Sequence, residues 1–98
     1  MSGDAAVVYC CAPTVAWIRD ADRMILVEEA KGRCWHLQGV EAVIWDLLTL
    51  HYPWDGIVDF LAVLLGASVQ EASKTLLAAL RDWKEAGIVC TGEETRRG

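Results

Sequence analysis

The segment from Arg33 to Leu50 restricts the possible folds more than any other part of the chain. Arg33, Trp35 and Leu37 alternate with Cys34 and His36, the two-residue period of a strand. Beyond Gly39 the period changes: Val40, Val43, Ile44, Leu47 and Leu48 recur at the spacing of one helix face. A strand that passes through one glycine into an amphipathic helix needs a core on the strand's inner side and on the helix's apolar stripe. The helix is expected to stop before Pro53, because the residue preceding a proline is pushed out of the helical region.

Upstream, Val15 to Arg19 and Met24 to Glu29 are short runs rich in Val, Ile, Leu and Trp. Asp20-Ala-Asp22 and Ala30-Lys-Gly32 separate them from each other and from Arg33 to Leu37, and both separators suit tight turns. A three-stranded antiparallel meander follows. Residues 1–13 have no sustained period and end at Pro13, which cannot donate to a ladder, so they read as a flexible leader into a domain spanning 14–90.

Downstream, a second helix fits Trp54 to Leu65, with Ile57, Val58, Leu61, Leu64 and Leu65 in one stripe. Phe60 and Val63 lie on another side, so this helix is expected to be covered more completely than an ordinary surface helix. Ser68-Val-Gln-Glu71 has the form of a capping box and starts a third helix that runs to Ala86. Gly87 suits a left-handed cap, with Ile88 folding back on the last turn. Residues 91–98 are polar, lack an apolar anchor and are expected to be a disordered tail.

Ninety-eight residues suffice for one compact domain, and 54% hydrophobic residues with five tryptophans argue for a packed core. The net charge of −5 repels phosphate polymers and anionic membranes. The N-terminal sequence lacks the basic region of a secretory signal, and no apolar run reaches the roughly 18 residues of a spanning helix, so a cytoplasmic protein is expected. The four cysteines, Cys10, Cys11, Cys34 and Cys90, allow three pairings. Adjacent Cys10 and Cys11 make a poor disulfide framework, and reduced thiols are expected.

Cys34-Trp-His36 with Cys10-Cys11 does not have the spacing of a zinc site, and no cofactor or metal is expected. No residue set assembles a nucleophile with a base, and no glycine-rich phosphate loop is present, so the chain does not read as an enzyme. Three strands followed by three helices make an α+β fold of the winged helix-turn-helix-like type. One use of such a fold is DNA binding through the last helix, but here Lys74, Arg81 and Lys84 are offset by Glu71, Asp82 and Glu85, which disfavours it. The other use is an edge strand that templates an incoming peptide. A purely structural subunit is the third reading.

The run from Val15 to Val89 resembles the PqqD-like RiPP recognition elements, including the discrete ones of lasso-peptide biosynthesis. Trp35 and Leu37 stand where that family has an aromatic residue and a Leu, and Gly39 opens its first helix. Ile44-Trp45 matches its Ile-Trp pair, and Leu76, Leu80 and Trp83 fall on the apolar positions before its closing glycine, here Gly87. The chain departs from the family at Thr75, where an acidic residue is common, and at Ala79, where an aromatic is. The resemblance implies that a precursor leader peptide adds antiparallel to the third strand of the meander, along Arg33, Cys34, Trp35, His36 and Leu37. It would lie against a shoulder of the third helix formed by Ala72, Thr75, Leu76, Ala79, Leu80 and Trp83, of which Leu76, Leu80 and Trp83 also read as core-packing residues that core and groove could share. Ala72, Ala79 and Ala86 recur every seven residues and would leave room for another backbone. Arg33 and Lys84 would meet acidic leader residues. The partner implied is a leader peptidase or another maturation enzyme, such as a radical-SAM enzyme in the PqqD case.

Overall fold

The computed structural model describes residues 9–91. Its elements run β1 (Tyr9–Cys11), β2 (Ala16–Asp20), β3 (Arg23–Glu28), β4 (Arg33–Gln38), α1 (Val40–Thr49), α2 (Trp54–Leu65), α3 (Val69–Ala86) and β5 (Val89–Thr91). The antiparallel meander is present in the order β2-β3-β4 and is followed by the three expected helices. No single helix among the described residues is long and apolar enough to cross a membrane.

Register follows from the alternation of side chains. Met24 opposes Leu37, Leu26 opposes Trp35 and Glu28 opposes Arg33, which places these six on the inner face. Ile25 opposite His36 and Val27 opposite Cys34 form the outer face, which Ile18 of β2 joins through its pairing with Ile25. The hairpin turn of β2 and β3 places Ala21 at a φ of 58°, the first central position of a two-residue turn, where glycine is usual.

The strand-to-helix joint turns on Gly39, whose φ of 58° and ψ of −130° lie in a region open to glycine and closed to L-residues with a side chain. Helix α1 ends in a left-handed residue, His51 at φ 62°. His51 and Tyr52 donate to the carbonyls of Leu48 and Leu47, so the orphan acceptors of the last turn are satisfied. Gly66 and Gly87 close α2 and α3 in the same manner, with Ile88 donating to Trp83 and burying its own side chain. At the other end of α3, the Ser68 hydroxyl accepts the Glu71 amide at 3.1 Å.

One core joins the layers. Leu26, Ile44, Trp45, Ile57, Leu61, Leu76, Leu80 and Ile88 are its largest fully buried side chains. Two indoles lie in it, Trp45 of α1 edge-on to Trp83 of α3, and Trp45 is also edge-on to the exposed Trp17 of β2.

Two sequence expectations are corrected. Tyr9–Cys11 is a strand rather than a loose leader: it pairs antiparallel with Val89–Thr91, so Thr91 also belongs to the folded unit. Three-residue strands carry too little periodicity to be legible, and their pairing joins the two ends of the described segment. The expectations for residues 1–8 and 92–98 lie outside the described residues. The second correction concerns α2, which packs chiefly on α3 through its Ile57, Val58 and Leu61 stripe. Phe60 and Val63, expected to be covered, are 46% and 84% exposed, because no further element of the described chain packs over that side.

Candidate peptide-binding edge

Strand β4 pairs with β3 on one side and has no strand partner on the other among the described residues. Its unpaired N–H and C=O groups are a ready template for another extended chain. Cys34, His36 and Gln38 point their side chains to solvent. The Cys34 sulfur and the His36 ring nitrogen Nε2 are 4.0 Å apart on that exposed surface.

On the inner side, Leu37 is buried in the core and Trp35 is half-buried against it. Arg33 lies over the Trp35 ring, its guanidinium carbon 4.9 Å from the ring centroid. The same guanidinium donates to Glu28 Oε1, from Nε at 3.1 Å and from Nη2 at 2.7 Å. Nη2 also donates to the Ala86 carbonyl at 2.8 Å. Arg33 therefore fastens the start of β4 to the last turn of α3, where a cation also complements the negative end of the helix dipole. Its hydrogen bonds hold the carboxyl of buried Glu28 below its ordinary 4.5, against the opposing effect of burial, and Thr14 Oγ1 donates to the second Glu28 oxygen.

The Arg33 cation is engaged by Glu28 and by a helix carbonyl, so it positions the edge strand, while its side chain stays partly exposed. Lys84 stands exposed in the last turn of α3.

The expected helix shoulder divides in two. Ala72, Leu76, Leu80 and Trp83 are buried among the core residues and present no surface. Ala79 and Ala86 are half-buried at the edge of that stripe, and Thr75 is exposed one turn before Ala79. The small-residue flank is therefore shorter than the seven-residue repeat indicates: Ala72 belongs to the core, and Thr75, Ala79 and Ala86 carry the surface. Asp82, counted in the sequence only toward charge balance, falls on the same line, three residues after Ala79 and four before Ala86.

A cleft of about 410 Å³ opens at the other end of the β3–β4 hairpin from Arg33, between the β2–β3 turn, the start of α1 and the end of α2. Met24, Val43, Leu64 and Leu65 give it apolar walls, and the Arg19–Asp46 ion pair stands at its side. Among the described residues, no three His, Cys, Asp or Glu side chains come together as a metal-binding group.

Three features therefore lie together: a strand edge that no strand covers among the described residues, a helix tethered to one end of that strand, and small side chains on the flank of the helix. The fold is also that of known proteins. The structure of TbiB1 in complex with the TbiA(beta) leader peptide superposes with a TM-score of 0.77 at 20% identity, covering 82% of this chain and 93% of that one. A lasso peptide synthetase B1 complexed with the leader peptide superposes with a TM-score of 0.77 at 19% identity, covering 85% of this chain and 98% of that one. The resemblance read from the Trp35, Leu37, Gly39 and Ile44-Trp45 positions thus reappears as a shared fold over most of the chain. No protein-family profile and no curated protein sequence matches this chain.

Proposed function

We propose that this protein captures the leader peptide of a ribosomally made precursor by strand addition to β4 and delivers it to a separate processing enzyme, a leader peptidase or another maturase. The single observation that carries the reading is the edge of β4, which no strand covers among the described residues and which Arg33 holds against the end of α3, in a fold shared with two leader-peptide-bound proteins. Main-chain hydrogen bonds supply affinity, and side chains of the peptide meet Trp35 and the Thr75–Ala79–Ala86 flank. The protein makes and breaks no covalent bond in the precursor, and it works in the cytoplasm, where the precursor is made. The balance of Lys74, Arg81 and Lys84 against Glu71, Asp82 and Glu85 on α3 weighs against a duplex-binding role.

Titration of the full chain with synthetic leader peptides of lasso-type precursors, followed by tryptophan emission, tests the reading. Saturable binding that survives added salt is expected. Indifference to every leader peptide, together with salt-sensitive binding of random duplex DNA, would overturn it.

A further inference from the structure

The sequence places two cysteines side by side, but the β1–β5 register sends them to different surroundings. Cys11 opposes Val89 and packs against the core, whereas Cys10 opposes Cys90 directly. The Cys10 and Cys90 sulfurs are 3.4 Å apart, and Cys10 Sγ also lies 3.6 Å from the Cys90 carbonyl. Directly opposed residues of an antiparallel ladder have Cα atoms about 4.5 to 5.5 Å apart, inside the span a disulfide bridges. The two sulfurs are already in van der Waals contact, so a short further approach brings them to the bonding distance of about 2.05 Å.

We propose that Cys10 and Cys90 form a redox-modifiable pair that closes into a cross-strand disulfide by exchange with a small-molecule disulfide. The thiolate of one cysteine attacks a sulfur of the small disulfide, forming a mixed disulfide and releasing one small thiolate. The thiolate of the other then attacks the protein sulfur of that mixed disulfide and releases the second. Two protein thiols are oxidised, the small disulfide is reduced, and the two protons end on the two small thiols. Cys11 does not compete: burial, reinforced by the neighbouring sulfurs of Cys10 and Cys90, pushes its thiol up to about 12 and denies it the reactive thiolate.

The consequence follows from position. The two cysteines are 80 residues apart, so the bond joins the two ends of the folded unit and strongly restricts the unfolded chain. It also secures β5, which continues directly from the α3 cap where Arg33 binds Ala86.

The test is incubation of the reduced, native full chain with oxidised glutathione, then non-reducing tryptic mapping and thermal unfolding. The expected product is a monomer lacking two hydrogens at this pair, with the Cys10–Cys11 peptide linked to the Cys90 peptide and the fragment spectrum assigning the link to Cys10. Exposed Cys34 carries glutathione and reports that exchange occurred. The link persists in Cys11→Ser and disappears in Cys10→Ser, and the bridged form melts about 10 °C or more higher, a gain reversed by dithiothreitol. Glutathione on Cys34 with Cys10 and Cys90 left as thiols or as separate adducts, or a link through Cys11, would overturn the proposal.

Discussion

The indoles of Trp45 and Trp83 meet edge to face, with ring centroids 5.6 Å apart and an interplanar angle of 75°. Trp17 approaches Trp45 at 5.9 Å and 77°, so one buried ring touches both the sheet and α3. Trp45 Nε1 is buried and makes no hydrogen bond among the described residues. Truncation and conservative replacement should therefore differ widely. Trp45→Ala is expected to cost about 3–5 kcal/mol through the cavity it leaves. Trp45→Phe keeps much of the packing and removes an unpaired donor, so its expected cost is about 1–2 kcal/mol. Urea unfolding of both variants measures the gap.

Gly39 offers an unusually clean backbone experiment. A Cβ added there meets no atom within 4 Å, so any loss on substitution is conformational rather than steric packing against neighbours. Gly39→Ala should destabilise by about 1–3 kcal/mol, the usual cost of forcing an L-residue into such a region. Semisynthesis with D-alanine at position 39 should restore stability, and equal melting of the two diastereomers would contradict this account.

His51 presents the converse case. It occupies the left-handed position that ends α1 with φ 62°, and its side chain is exposed. His51→Gly relieves the backbone without removing a core contact, so a gain of about 0.5–1 kcal/mol is expected in chemical denaturation.

Glu28 makes stability depend on acid. Its folded carboxyl titrates below the ordinary 4.5, chiefly because Arg33 donates to it, so the unfolded chain takes up this proton first as pH falls. The contribution is fully present above 4.5 and is lost as pH drops through the folded value. Melting temperature should fall over that acidic window in the native protein. In Glu28→Gln it should start lower and vary less with pH there, a comparison that thermal scans across the window make directly.

Ala79 tests the helix flank. It sits half-buried beside the core stripe, and the stem of an arginine placed there can lie along the helix with its head in water. Ala79→Arg is expected to leave melting within about 4 °C of the native protein, a change of roughly 1 kcal/mol or less. Leader-peptide affinity should fall by roughly tenfold or more, equivalent to about 1.4 kcal/mol. Unchanged affinity in the same tryptophan titration would remove this flank from the site.

Local chemistry was sufficient for much of the fold. Period change at Gly39, the Ser68 cap, the left-handed positions at Gly66 and Gly87 and the break before Pro53 all act within a few residues of themselves. The meander and the bounds of α2 and α3 could accordingly be read from the chain. How the residues proposed for the site divide between core and surface was not legible. Leu76, Leu80 and Trp83 carry the same helical spacing whether they face a core or a groove, and only the packed layers bury them.

What the sequence determined by itself was thus the order and kind of the main elements, because helix and strand periods, caps and turns are encoded locally. Tertiary structure alone decided that Tyr9–Cys11 pairs with Val89–Thr91, that Cys10 rather than Cys11 meets Cys90, and that Arg33 binds Glu28 and Ala86. Each of these joins residues distant in the chain or selects among chemically equal neighbours. Such choices are made by the geometry of packing, in which a one-residue change of register turns a side chain from one face of a strand to the other.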